Sequence, residues 1–265
     1  MYMDKEVKRG YNEYLRLDEG EGKDGMMDVA LLVMEAGDTY TIEEADKEVA
    51  CLLFDGDVNM SWDDQSVDMV RPNPFDYNPW CLLVHKQTKI VITAKGPSNI
   101  YVQKTLNDKT EPEFPNKLFR PEDTDTWARG TGGVLQNCIK RDVRTCFDLD
   151  IAPYSNMVLG EVINLPGKWS SYPPHQHVEP ELYYYKFLPE NGYGLAEHGD
   201  DAFKVKNNDL TGMPENVTHS QCAAPGYAEY YLWCIRLQDD KNIVTTVVPE
   251  YEWVTAADAK YFPEI

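Results

Sequence analysis

The residues best suited to chemistry in this chain are His175, His177, Glu181 and His219. The sequence is His175-Gln-His177 followed by Glu181, and 37 residues then separate Glu181 from His219. The whole chain has five histidines, so three of them fall in this one constellation. On an extended strand, alternate side chains point the same way. His175, His177 and Glu181 share that parity, so one strand could aim two imidazoles and a carboxylate into a common cavity. Three nitrogens and one oxygen suit a borderline divalent metal. Zinc is the first expectation, and manganese, iron and nickel also match. Four protein ligands leave one or two positions open on a five- or six-coordinate ion, which is the pattern of a catalytic site rather than a closed structural one.

The elements that must position these groups read as all-β. Short runs rich in Val, Ile, Tyr and Trp recur between Gly, Pro, Asn and Asp clusters, at residues 29–34, 50–54, 80–84, 89–93, 158–165, 182–188 and 230–237. Two segments, 142–149 and 255–261, read as short helices. Pro173-Pro174 is expected to stiffen the approach to His175 and to fix where its strand starts. A small β-barrel holding a ligand in its mouth would present inward residues alternately along each strand. Tyr183 and Tyr185 share the parity of the ligands and either line such a cavity or pack the barrel core. His198, in a polar turn, is expected to be exposed, and His85 to be a structural histidine.

Residues 104–133 are rich in charge, Pro and Gly, and read as a loop or linker between two β units. The halves on either side look like distant copies. Laid against each other without a gap, Ile90 falls where His219 stands and Tyr101 falls on Tyr230, and the first half contains no His-x-His. The expected organisation is a barrel without metal ligands over residues 1–130 and a metal-binding barrel over 131–265.

Composition excludes several function classes. The chain of 265 residues carries a formal charge of −20, so nucleic acid, which needs clustered Lys and Arg, is not an expected partner. No apolar run approaches a membrane span, and the charged start MYMDKEVKRG lacks the apolar core of a signal peptide. The expectation is a soluble, cytoplasmic protein, with a homo-oligomer left open. The six cysteines are scattered without a CxxC pair and read as free, mostly buried thiols. An anionic substrate would need a local cation against so acidic a background.

The pattern HxHxxxE followed by a distant histidine resembles the two-part signature of cupins. Their second motif carries PxG, two residues, then His. Here it reads Pro214-Glu-Asn216-Val-Thr-His219, with Asn in place of Gly, a residue that also tolerates positive φ. A more specific string is Gly167-Lys-Trp-Ser-Ser-Tyr-Pro-Pro-His-Gln-His177, followed by Glu181-Leu-Tyr-Tyr-Tyr-Lys-Phe187, His219-Ser-Gln-Cys-Ala-Ala-Pro-Gly-Tyr227 and Tyr230-Tyr231. On these residues, the stretch from Arg129 to Leu237 resembles the bacterial 5-deoxy-glucuronate isomerase family of inositol catabolism. That family is grouped with the 5-keto-4-deoxyuronate isomerases of pectin breakdown. The resemblance implies an all-β bicupin fold, two tandem jelly-roll-like barrels, with metal bound by His175, His177, Glu181 and His219. It also implies isomerisation of an aldehyde sugar acid to a ketose.

Such a reaction needs a general base, for which Tyr183, Tyr185 and Glu229 are the candidates, with Glu179 also near the metal strands. It also needs a cation for the substrate carboxylate, for which Arg129, Arg141 and Lys168 are the candidates. Two other readings stand beside the isomerase. One is a related cupin acting as a uronate isomerase or an oxygenase. The other is a non-catalytic, sugar-binding cupin.

Overall fold

A computed structural model describes residues 1–262 of the chain. Their regular structure is almost all strand, in three sheets of nine, seven and five strands. The runs read as strands in the sequence are strands, among them Asp28–Met34, Trp80–Val84, Ile90–Ala94, Met157–Asn164, Glu181–Leu188 and Ala228–Arg236. No helix among the described residues is long and apolar enough to cross a membrane.

The two segments read as helices are not helices there. Residues 142–149 fall on the strand Arg141–Phe147. Its charged residues imitate a helix surface, but Val143, Thr145, Cys146 and Phe147 are β-formers, and pairing in the sheet decides the outcome. Near the C-terminal end the helical turn is a 3-10 helix at Pro249–Thr255, with its proline in the first turn. Alanines at 256, 257 and 259 favour helix, yet a seven-residue segment without a packed face cannot nucleate one.

The chain divides into two compact units. One comprises Lys5–Asp125 and Arg144–Gly160, and the other Met1–Asp4, Thr126–Val143 and the chain from Glu161 onward. The boundary expected near residue 130 thus falls at 125/126. In addition, the first four residues and residues 144–160 each belong with the other half. The charged segment 104–133 is not featureless: it carries the short strands Lys117–Phe119 and Thr126–Arg129.

The first unit is built on the nine-stranded sheet, organised around the long strand Lys47–Trp62, which pairs with four neighbours. Its interior is a continuous apolar core including Leu32, Val49, Leu53, Met60, Leu82, Ile90, Ile92 and Val102. Ile90, the position that aligns with His219, is fully buried in that core. Aliphatic side chains fill the space, and burial at roughly 25 cal/mol per Å² makes such a filled interior the stable solution.

In the other unit the seven-stranded sheet includes Leu210–Met213, Glu181–Leu188 and Ala228–Arg236, and the five-stranded sheet includes Tyr193–His198, His219–Ala223 and Trp169–Gln176. Its core is richer in tyrosine. Tyr183, Tyr185, Phe187 and Tyr231 meet Ala196 and Val205 of the facing sheet. A β-carbon at Gly194 would lie 2.2 Å from Glu229 Oε1 and 2.8 Å from the Cys222 carbonyl, so only glycine fits. Gly194→Ala is therefore expected to destabilise the protein by about 1–3 kcal/mol, the usual cost of overpacking. Thermal melting checks this, and an unchanged Tm would show that the interior has room to spare.

Candidate metal centre

His175 and His219 lie directly opposite each other on adjacent strands, and His198 lies opposite His219 on the other side. Residues facing one another across antiparallel strands project to the same side of the sheet. Three histidines therefore form a row across Trp169–Gln176, His219–Ala223 and Tyr193–His198. His198 ends its strand buried at 7 % exposure, not in an exposed turn as its polar neighbours suggest. Alternation along the strand turns it inward with Gly194 and Ala196. Burial, followed by the N-terminal amine and His219, pulls its pKa down to about 3. His85 is half-buried and its ring contacts the Lys86 carbonyl.

The two histidines and the glutamate do not share one strand as their parity suggests: Trp169–Gln176 carries His175 and ends before His177, and Glu181 opens Glu181–Leu188 in another sheet, so a turn and two sheets bring them together. Nor does the strand of His175 begin at the prolines. Pro173 and Pro174 lie within it, at a bulge where residues 171–174 stand against Ser220 alone. Proline is tolerated there because a bulge leaves backbone donors out of the ladder. Ser171 adopts φ +54°, a left-handed conformation unusual for a residue with a side chain. The bulge shifts the parity of the strand, so Ser170, Ser171 and His175 all line one cavity. Asn216, in place of the motif glycine, has φ +59°, and its N–H donates to the His177 carbonyl at 2.8 Å. That bond ties the second motif to the first.

All three imidazoles are anchored in the same way. Nδ1 of His175 donates to the Pro173 carbonyl at 3.1 Å, that of His177 to the Glu179 carbonyl at 2.8 Å, and that of His219 to the Val217 carbonyl at 3.0 Å. A carbonyl can only accept, so each Nδ1 carries the proton and each Nε2 keeps its lone pair. Glu181 Oε2 lies 3.1 Å from Nε2 of both His177 and His219. Ligand atoms of His177, Glu181 and His219 all lie within 4.8 Å of one another, and all three residues are buried. The His175 ring is 4.5 Å from that of His219, centroid to centroid.

This donor set fits a divalent ion. A lone pair facing a carboxylate is repulsive unless a cation or a proton lies between them. Ligands about 2.1 Å from an ion at right angles are about 3 Å apart, close to the observed spacing. Nε2 of His219 is buried with no hydrogen-bond partner. Burial opposes ionisation of Glu181, but the neighbouring His177 and His219 overcome it and hold the carboxyl at about 2. Burial likewise opposes protonation of His177, and Glu181 outweighs it, so its pKa is raised. Burial and then His219 lower that of His175.

A cavity of about 240 Å³ opens beside these groups, lined by His175, His177, Glu181, Tyr183 and Tyr231, with Ser170, Ser171 and Arg141. Of the sequence candidates, it brings together Tyr183 and Arg141 with three of the four ligand residues. Tyr183 also meets the His219 ring edge to face, 6.0 Å centroid to centroid. The others are elsewhere. Tyr185 donates to Gln221 Oε1 at 2.7 Å in the core. Glu229 is fully buried and accepts from Asn164 Nδ2 at 3.0 Å, and burial lifts its pKa to about 7. Arg129 is exposed and Lys168 half-buried, and neither lines the cavity. Glu179 is buried with neither carboxylate oxygen hydrogen-bonded, and its Oε2 lies 3.6 Å from His177 Nδ1. A larger cavity of about 530 Å³, walled by Trp169, Tyr172 and Trp253, contains Glu197 but no ligand cluster, so the smaller cavity is the chemical one. Sequence parity missed Tyr231 and the serine pair. Tyr230 and Tyr231 look alike in sequence, and consecutive serines cannot share a face on a regular strand.

The model of the KduI/IolB family matches residues 2–254. The 5-deoxy-glucuronate isomerase of Geobacillus kaustophilus (strain HTA426) is 27% identical over 218 residues, covering 76% of this chain and 75% of that protein. The crystal structure of an IolB-like protein from Salmonella typhimurium LT2 superposes with a TM-score of 0.84 at 19% identity, covering 96% and 99% of the two chains. An oxalate decarboxylase from Lactobacillus farciminis, solved as its formate complex, superposes with a TM-score of 0.66 at 10% identity, over 95% and 87%. At these identities the two structures speak to the fold, an all-β bicupin.

Protons and metal should compete for the same lone pairs. The raised pKa of His177 belongs to the metal-free protein, so metal binding at neutral pH should release protons, and affinity should fall as pH drops through that raised value. Calorimetric titration of metal into apoprotein, in buffers of differing ionisation enthalpy, measures the protons released. A pH-independent affinity with no proton release would mean that His177 is not a ligand.

Proposed function

The chain belongs to the KduI/IolB family, and from that premise we propose that it is a metal-dependent aldose–ketose isomerase acting on a deoxy sugar acid. The substrate best matched is 5-deoxy-glucuronate, converted to 2-deoxy-5-keto-gluconate in inositol catabolism, as the names of its relatives indicate. The observation that carries this reading is the buried His177–Glu181–His219 group, with His175 beside it, on the wall of a cavity that also contains an arginine.

His175, His177, Glu181 and His219 would hold the ion, with zinc first and manganese, iron or nickel as alternatives. When bound, it supplies Lewis-acid polarisation of the substrate carbonyl. Arg141 is the one Lys or Arg among the described residues lining the cavity, and its guanidinium is suited to a carboxylate. It would supply the local cation that an anionic substrate needs against a net charge of −20. Tyr183, its hydroxyl 3.2 Å from Ser171 Oγ, is the candidate proton carrier nearest the ligand group. Tyr185 and Glu229, lying outside the cavity lining, support the site from the core. The division of labour belongs to the same reading: the unit built mainly from the first half, Lys5–Asp125 with Arg144–Gly160, would hold no metal, and the unit that includes the chain from Glu161 onward would carry the chemistry. The protein is read as cytoplasmic, with no nucleic-acid or membrane partner.

Elemental analysis of purified protein, coupled to NMR of added 5-deoxy-glucuronate, tests the proposal. His175→Ala should lose metal and at least about 100-fold in activity. If that variant isomerises normally, the assigned site is wrong. Arg141→Ala should keep its metal and raise KM by at least about tenfold, the effect of losing a charged hydrogen bond worth roughly 1.5–3 kcal/mol. An unchanged KM would place the carboxylate elsewhere.

A further inference from the structure

The cavity contains few groups able to exchange a proton. Apart from the candidate ligands, those lining it are Tyr183, Tyr231 and the hydroxyls of Ser170, Ser171 and Thr245, and among the described residues the lining includes no carboxylate besides Glu181. Tyr183 is close to the ligand group, two residues from Glu181 and 6.0 Å from the His219 ring. Tyr231 stands one ring further away, 4.9 Å from Tyr183, with its phenol hydrogen-bonded to Ser170. The fold departs from regularity to make these pairs. Only the bulge at residues 171–174, with Ser171 at φ +54°, lets two consecutive serines face one cavity, each bonded to a different tyrosine. Backbone strain of this kind persists only where the surrounding structure holds it in place, and such residues cluster at functional sites.

We propose that Tyr231, gripped by Ser170, is a catalytic residue that carries the oxygen-borne proton of the isomerisation, an inference that rests on the isomerase reading above. Aldose–ketose conversion moves one proton from carbon to carbon and a second from oxygen to oxygen. In the second transfer the Tyr231 O–H bond breaks and its proton passes to the former carbonyl oxygen. Ser170 Oγ–H then donates to the phenolate. The O–H bond of the neighbouring hydroxyl breaks next, returning a proton to Tyr231 as that carbon becomes the ketone. The tyrosine ends as it began, and the carbon-borne proton travels on another group. Burial pushes the Tyr231 phenol up to about 12, while Arg141 and the two serines pull against it. The phenol is therefore protonated and ready to donate at neutral pH, with a guanidinium and a hydroxyl to stabilise its brief anion.

The test compares holoenzyme of the wild type, Tyr231→Phe and Ser170→Ala on 5-deoxy-glucuronate by NMR, with metal content and Tm measured on each. Tyr231→Phe is expected to keep its metal and its Tm, to leave KM within about threefold, and to lower kcat by about 100-fold or more. Ser170→Ala is expected to lower kcat by about tenfold with KM unchanged. A Tyr231→Phe enzyme with kcat within about threefold of wild type overturns this assignment alone and leaves the isomerase standing. A Tyr231→Phe protein that fails to fold hands the decision to Ser170→Ala, whose full activity would overturn it. A metal-loaded wild type that does not turn over 5-deoxy-glucuronate overturns both.

Discussion

Three imidazoles whose Nδ1 protons are committed to backbone carbonyls, and whose Nε2 lone pairs therefore have nowhere else to go, meet a buried carboxylate in this protein. Everything distinctive about the second unit follows from accommodating that arrangement. Two lone pairs directed at one carboxylate oxygen are tolerable only with a positive charge among them. The protein alone can meet this need with a proton on His177, and a divalent ion meets it more completely. Each anchor is a carbonyl two residues from its histidine, so the rings are oriented by local backbone rather than by mobile side chains, which makes for a preorganised ligand set.

The first unit shows the alternative outcome. It repeats the strand-and-turn rhythm but fills its interior with aliphatic side chains, with Ile90 buried at the position that aligns with His219. Such a core needs no polar satisfaction. The other unit gives up part of that packing for tyrosines whose hydroxyls must be paired. Tyr185 is satisfied by Gln221 and Thr211, Tyr183 by Ser171 and Tyr231 by Ser170. Of these, the two bonded to serines line the cavity, and the one bonded within the core does not.

Irregular backbone does much of the positioning. The bulge at residues 171–174 changes which residues of the ligand strand face inward, and Asn216 supplies the left-handed turn that delivers His219. Strict alternation along Trp169–Gln176 would put Ser170 and His175 on opposite faces. They share a face because the extra residues shift the count by an odd number. The same register places His198 in line with His219 and His175, although its polar neighbours in sequence suggest a surface turn.

The β architecture and the family resemblance were legible in the amino-acid sequence, and so was the choice of His175, His177, Glu181 and His219 as candidate ligands. Those readings depend on residue type and on a string specific enough to identify relatives, whereas the parity that put three of the candidates on one strand did not hold, because the chain turns between Gln176 and Glu181. The sequence could not rank Tyr183, Tyr185, Glu229 and Tyr231, or separate Arg141 from Arg129 and Lys168. Their value depends on which wall of which cavity they reach, and that is fixed by strand register and by a bulge whose odd-numbered insertion leaves no signature in local composition. That Arg141 and Tyr183 line the cavity while Glu229 lies in the core emerges from the packed strands alone, because facing and burial are properties of paired strands and not of any one of them.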